Sequence, residues 1–171
     1  MIHQKTSVII PSINRLFDLR VLLHSLGEQT VMPMEIIVVD NNSNTYYSVI
    51  LEEFPHLQIK LFKELTPGAP NVRNRGVKES KGDYLVFVDD DCICDKYWLE
   101  RILAPFARDP NISCVGSRIE SSPDVSTPSL RFAFLSKALK NFYEKKDREQ
   151  AHSTAFGIFR GFLNKKERCI K

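Results

Sequence analysis

The sequence lacks any apolar run near the roughly 20 residues that span a bilayer, so no membrane-crossing helix is expected. Its first residues are not a charged start followed by an apolar block, so no signal peptide is expected either. A cytosolic location follows by default, and nothing else argues for an oxidising compartment. Cysteine is scarce: Cys92, Cys94, Cys114 and Cys169 fit no zinc-ligand spacing, and buried or idle thiols are the expectation. His3, His24, His56 and His152 are scattered and form neither a metal set nor a catalytic triad. There are no internal repeats and no RNA- or DNA-binding signature, so nucleic acid is not an expected partner.

What is present is an ordinary globular composition: 171 residues, 43% hydrophobic and 26% charged. That length allows one domain with a real hydrophobic core. The net charge of +3 hides an asymmetry. Residues 128–171 hold 11 Lys/Arg against 4 Asp/Glu, whereas residues 1–127 hold 13 against 17. An acidic head and a basic, Phe-rich tail imply two surfaces with different jobs.

Hydrophobic patterning predicts alternating strands and helices. Thr6–Ile10 is a β-branched run ended by Pro11, and Leu19, Leu22, Leu23 and Leu26 then fall at helical spacing through Glu28. Glu35–Val39 reads as a second strand, Tyr46–Phe54 as a short helix and Leu57–Phe62 as a third strand. A loop at Thr66–Pro70 precedes a helix over Asn71–Ser80, with Gly82 as its C-terminal stop. Tyr84–Val88 is apolar throughout, as in a sheet covered on both faces. Asp95 is the expected N-cap of a helix carrying Trp98, Leu99, Ile102, Leu103 and Phe106, and Ile112–Ile119 a fifth strand. The alternation predicts an α/β fold with a mainly parallel sheet flanked by helices. The organised core is expected over residues 1–120. Residues 121–171 read as a Ser/Pro linker followed by a basic, Phe-rich helical tail from about Leu130 to Glu149.

Ligands of open α/β sheets sit beyond the carboxyl ends of the strands, and three polar clusters fall there: Pro11–Asn14, Asp40–Ser43 and Asp89–Asp91. Asp89, Asp90 and Asp91 follow an apolar strand directly. They supply hard oxygen ligands for Mg²⁺ or Mn²⁺, a cation that would also relieve their mutual repulsion. Capping the next helix is the bland alternative. Asp40 and Asn41 are placed to meet a nucleobase or ribose, although a lone Asp after a strand is as often a turn residue. The segment Gly68–Gly76 offers backbone N–H groups, with Arg73 or Arg75, to a diphosphate; by itself it is a Pro/Gly turn before a basic helix.

Together these segments resemble the inverting family 2 glycosyltransferases. Ser7-Val8-Ile9-Ile10-Pro11-Ser12-Ile13-Asn14-Arg15 is similar to that family's SVIIPTYNR opening. Glu28-Gln29-Thr30 and Glu35-Ile36-Ile37-Val38-Val39-Asp40-Asn41-Asn42-Ser43 resemble its QT…EIIVVDDGS block. Gly68 with Arg73-Asn74-Arg75-Gly76 resembles G…ARNxG, and Gly82 through Asp91 resembles GEYLxFLDxD with its DxD motif. The resemblance covers residues 6–119. It implies a GT-A fold, a nucleoside-diphosphate sugar as donor (UDP-linked by family frequency) and a divalent metal, Mn²⁺ or Mg²⁺. Donor contacts are then implied for Pro11, Asn14, Asp40, Asn41, Arg73, Asp89 and Asp90, and metal ligation for Asp91 with Asp89. Asn41 and Asn42 replace the family's more usual Asp-Gly.

The reaction implied is displacement at the anomeric carbon with inversion, an Asp or Glu deprotonating the hydroxyl of a glycan or lipid-linked acceptor. The acidic ED-type motif that supplies this base in the family is not found. Ala155–Leu163 faintly resembles the segment preceding it, and Glu120, Asp124 and Glu167 match no motif. The catalytic residue is therefore unassigned, and the chain is expected to stop before the base region. The alternative reading is an inactive donor-binding or partner-binding protein. A nucleotidyltransferase would need a Gly-rich, Arg/Lys-bearing loop after the first strand, and Pro11-Ser12-Ile13-Asn14 is not one. In the tail, Phe132, Leu135, Leu139 and Phe142 share a helical stripe flanked by Lys137 and Lys140. The stripe is expected to pack on the core; peripheral contact with anionic lipid is the alternative.

Overall fold

The computed structural model describes residues 5–117 and, as backbone, the strand at 157–160. In chain order the described elements are β1 (Thr6–Ser12), α1 (Leu16–Gly27), β2 (Glu35–Asp40), α2 (Val49–Glu53) and β3 (Ile59–Lys63). They continue with α3 (Ala69–Glu79), β4 (Tyr84–Phe87), α4 (Trp98–Arg108), β5 (Cys114–Gly116) and β6 (Gly157–Arg160). They build one sheet in the order β3-β2-β1-β4-β6-β5. The first four in that order run parallel, and β6 is antiparallel to both neighbours. The expected mainly parallel α/β sheet is therefore observed.

The strands are apolar on both sides because both sides are covered. Val8, Ile10, Ile36, Val38, Val86 and Val88 pack with Leu19, Leu22, Leu23 and Leu26 of α1, Ile50 of α2, and Leu99, Ile102, Leu103 and Phe106 of α4. Ile9, Ile37, Val39, Leu85 and Phe87 point the other way and pack with Val72 of α3. Each such fully buried aliphatic side chain contributes roughly 1.5–3 kcal/mol of hydrophobic stabilisation. Outward steps from β1 to β3 run along one face and the return to β4 along the other, as right-handed crossovers require. Helix α3 lies so close to β1 that a Cβ on Gly76 would stand 2.4 Å from Ile9 Cγ2.

Several local expectations are corrected. Pro11 does not end β1. The ladder to β4 stops at Ile9–Phe87, but the ladder to β2 runs on to Ser12–Asp40. Val88 N–H donates to Ile9 O, so odd positions of β1 face β4, and the missing N–H of Pro11 costs a bond only on that side. Helix α3 begins at Ala69, before the expected Asn71, because Pro70 is tolerated in a first turn where its missing N–H has no helical acceptor. Helix α2 is shorter than Tyr46–Phe54 because Tyr47 is drawn inward, 3% exposed, ahead of it.

Gly82 is no left-handed helix stop. Gly68 is the described glycine with positive φ, and α3 ends at Glu79 with Ser80 as an extended C-cap. Gly82 is required by close approach instead: a Cβ there would lie 2.6 Å from Ser7 N and 2.7 Å from Lys5 O. Asp95 is not the N-cap of α4. Its carboxylate accepts from Tyr97 N–H at 3.0 Å, while Leu99 N–H donates to Gln29 Oε1 at 2.9 Å. The fifth strand is only Cys114–Gly116, and its partner is β6 rather than the parallel set. The sixth strand lies in a segment where no strand is expected from the pattern.

The Ser/Pro linker, the basic helix with its Phe132–Phe142 stripe, Glu120, Asp124, Glu167 and Cys169 lie outside the described residues. Among the described residues no helix is long and apolar enough to cross a membrane.

Candidate functional site

The chain steps outward from β1 through β2 to β3 and then returns to the other side of β1 as β4. The boundary between β1 and β4 is therefore the sheet's topological switch point, where open α/β sheets hold ligands beyond the carboxyl ends of their strands. All three polar clusters singled out in the sequence lie at or just after the carboxyl ends of β1, β2 and β4.

The loop after β1 is tied to the loop after β2. Asn14, in the left-handed region at φ 53, donates its N–H to Ser43 Oγ at 2.8 Å and accepts from Asn44 N–H at 2.9 Å. Asp40 is buried at the end of β2, and its Oδ1 accepts from Ser43 N–H at 2.8 Å. Asn42 takes φ 59, a conformation that Gly adopts freely and Asn tolerates best among the rest. That is the physical reason an Asn can stand where the resembling family usually has Gly.

Asn41 is occupied with architecture. Its Nδ2 donates to Glu64 O at 2.8 Å and Thr66 O at 3.0 Å, and its Oδ1 accepts from Gly68 N–H at 3.2 Å. The carboxamide thus fixes the loop that leads into α3. Arg73, on α3, reaches Asp89 Oδ1 at 3.0 Å. Arg75 turns elsewhere, its guanidinium 5.6 Å from the centre of the Phe62 ring. Its Nε is 2.9 Å from Glu79 Oε1, an ion-pair distance without hydrogen-bond alignment. Of the two arginines considered for a diphosphate, the structure brings Arg73 to the acidic turn and not Arg75.

The three aspartates diverge. Asp90 is buried and accepts from Ser12 Oγ at 2.5 Å. Because Ser12 spends its one proton there, the 2.8 Å contact between Ser12 Oγ and Tyr47 Oη has Tyr47 as donor. Tyr47 Oη in turn accepts from Arg15 N–H at 3.0 Å. A single directed chain thus runs from Arg15 through Tyr47 and Ser12 to the Asp90 carboxylate. Asp91, half-exposed, pairs with Arg15 Nη1 at 2.6 Å, and the same nitrogen is 3.5 Å from Asp90 Oδ1.

The repulsion expected within the acidic triplet is therefore offset by two cations of the chain itself, Arg15 and Arg73. It is no argument for a metal. Burial still raises Asp89 above the ordinary carboxylate range despite Arg73, and burial raises Asp90 despite the Ser12 hydroxyl. Cys92 and Cys94 are pushed up to about 12, chiefly by burial, and stay protonated thiols, in keeping with idle cysteines.

Among the described residues no three His, Cys, Asp or Glu side chains converge as a ready metal cage. Mg²⁺ and Mn²⁺ do not need one, since a site of one or two carboxylates completed by substrate phosphates is their usual form. Asp89 and Asp91, two hard donors partly open to solvent after β4, fit that kind of site. Asp90, turned inward onto Ser12, does not. Sequence reasoning did not single out Ser12, Arg15 or Tyr47; the first two stood inside the quoted opening motif, and Tyr47 gave no signal.

The profile described as "Glycosyl transferase family 2" matches residues 7–170. The chain is 36% identical over 110 residues to an uncharacterized glycosyltransferase of Haemophilus influenzae, covering 64% of this chain and 37% of that protein. TarS 1–349 of S. aureus superposes with a TM-score of 0.63 at 27% identity, over 72% of this chain and 38% of that one. Its complex with UDP gives 0.66 at 21% identity, over 91% and 46%. The Pyrobaculum calidifontis mannosyltransferase PcManGT, solved with GDP-Man and Mn²⁺, gives 0.61 at 22% identity, over 68% and 36%. The chain thus spans less than half the length of each of these proteins. The fold is that of the GT-A glycosyltransferases, and the chain belongs to glycosyl transferase family 2.

Proposed function

We propose that this chain carries the donor half of a glycosyltransferase that moves a sugar from a nucleoside-diphosphate sugar to a glycan or lipid-linked acceptor, with inversion. The observation that carries the reading is the placing of Asp40 at the end of β2 and of Asp89 and Asp91 just after β4, on the two sides of β1 at the sheet's topological switch point, with Arg73 3.0 Å from Asp89. Family membership supports it, as do the complexes of TarS with UDP and of PcManGT with GDP-Man and Mn²⁺.

In this reading Asp40 accepts hydrogen bonds from the nucleoside, beside Pro11 and Asn14. Asp91 and Asp89 hold a divalent cation, Mn²⁺ or Mg²⁺. When bound, that cation offsets negative charge on the departing diphosphate. Arg73 adds a fixed positive charge on the same side. Asp90 and Asn41 serve the donor indirectly, by fixing the acidic turn and the loop before α3. We favour UDP as the nucleotide and the cytosolic side of a membrane as the setting. Contact with an anionic surface would fall to the apolar stripe of Phe132, Leu135, Leu139 and Phe142 together with its flanking Lys137 and Lys140.

Calorimetric titration of UDP, GDP and dTDP into the 171-residue chain, with and without Mn²⁺, tests this reading alongside Asp91→Ala. Metal-dependent binding of one nucleotide, lost in the variant, is the expected result. A folded chain that binds none of them would refute it.

A further inference from the structure

The side chain of Arg15 occupies the carboxylate that the donor-site reading assigns to the metal. Its Nη1 is 2.6 Å from Asp91 Oδ2 and 3.5 Å from Asp90 Oδ1. What Arg15 gives to the fold is separate: its backbone N–H holds Tyr47 Oη at 3.0 Å. The guanidinium is half-exposed, so it can exchange partners without leaving a buried charge alone.

We propose that Arg15 is a further donor-binding residue that works by exchange, neutralising Asp91 in the empty site and pairing with the donor's diphosphate once a divalent cation takes Asp91. The inference rests on the donor-site reading above. A guanidinium and a divalent cation compete for the same carboxylate lone pairs, so each must weaken the other's hold on Asp91. A diphosphate offers the displaced guanidinium more negative charge than one carboxylate does, in a geometry its planar fork can grip with two parallel hydrogen bonds. Arg73 differs in kind. It is largely buried, comes from α3, and pairs with Asp89 on the other side of the turn. The acidic turn is thus flanked by one enclosed cation and one exchangeable cation.

The exchange predicts effects of opposite sign from one substitution. Arg15→Ala keeps the backbone N–H and hence the Tyr47 contact. It should bind Mn²⁺ alone about 5- to 10-fold more tightly than the wild type, read from the free Mn²⁺ signal in electron paramagnetic resonance. The same variant, saturated with Mn²⁺, should bind UDP about 10-fold more weakly in calorimetry. Arg15→Lys, which keeps the charge, should restore most of the wild-type Mn²⁺ affinity. A residue that merely braces the loop would weaken both ligands together. That result, or unchanged Mn²⁺ affinity in Arg15→Ala, would overturn the exchange while leaving the donor site standing. No Mn²⁺ binding by either protein, with no UDP binding by the wild type, would overturn both.

Discussion

Ser12 Oγ, at the end of β1, donates to Asp90 Oδ2 across 2.5 Å, joining the first strand to the acidic turn that follows the fourth. Burial raises the Asp90 pKa more than this bond lowers it, so the carboxylate is ionised at some expense to the fold. Asp90→Asn keeps an acceptor for Ser12 and sheds the buried charge. Its melting temperature at pH 7 should equal or exceed that of the wild type. Ser12→Ala removes the donor from Asp90 and the acceptor from Tyr47, and should cost roughly 1–3 kcal/mol in denaturant unfolding.

Asn41→Asp, the residue more usual in the family, should be harmful in this chain. It replaces the NH2 group that donates to the carbonyls of Glu64 and Thr66 with a single oxygen that only accepts. Amide hydrogen exchange over residues 64–68 should quicken, and UDP affinity should fall about tenfold, roughly 1.4 kcal/mol. Unchanged exchange in that loop would show that the clamp is not needed.

The pH dependence of stability follows from two opposed groups. Glu35 would be raised by burial, but bonds from Lys60, the Ser7 hydroxyl and Lys81 N–H together hold it below its ordinary value. Its contribution is complete above the unfolded pKa of about 4.3 and is lost as pH falls through its lower folded value. Asp89 and Asp90 are raised, so their ionisation opposes folding at neutral pH, and this penalty lifts as pH falls through their folded values. Thermal melts should therefore show stability rising on mild acidification and dropping below about pH 4.3. Asp90→Asn should flatten the rise, and Glu35→Gln should remove part of the drop while lowering stability at pH 7 by about 1–3 kcal/mol.

Gly82→Ala should destabilise far more than Gly27→Ala. The new methyl at 82 meets backbone atoms of Ser7 and Lys5 at 2.6 and 2.7 Å, whereas at 27 its nearest neighbour is the movable His56 ring at 3.1 Å. A loss of about 1–3 kcal/mol is expected for the first, by overpacking against atoms that cannot turn away. Equal melting temperatures for the two variants would contradict the close packing of the 81–83 turn on β1.

The parallel half of the sheet was legible because continuous apolar runs such as Glu35–Val39 and Tyr84–Val88 encode strands covered on both faces. Placing Asp40 and Asp89–Asp91 at one edge needed only the rule that parallel strands end on the same side. What was not legible depends on partners distant in sequence. Nothing local to Arg15 announces Asp91, and nothing local to Gln29 announces the N–H of Leu99. Tyr47 looks like a helix residue until Ser12 is known to lie beneath it. Gly82 was read by its nearest helix, although its constraint comes from β1. Gly157–Arg160 has too short an apolar stretch to signal a strand, and only β4 and β5 define it as one.

That last strand bears on how the protein is made. While the chain is being synthesised, β1 to β4 can pair as soon as each emerges, but the outer edge of β4 must wait for Gly157–Arg160. During that interval the nascent protein presents a bare, apolar strand edge, the kind that recruits a second chain into aggregates. Slow translation between residues 90 and 160 should therefore lower the yield of native protein, and a premature stop before residue 157 should leave insoluble material. The strand that bears the acidic turn is finished by a piece of chain that arrives late.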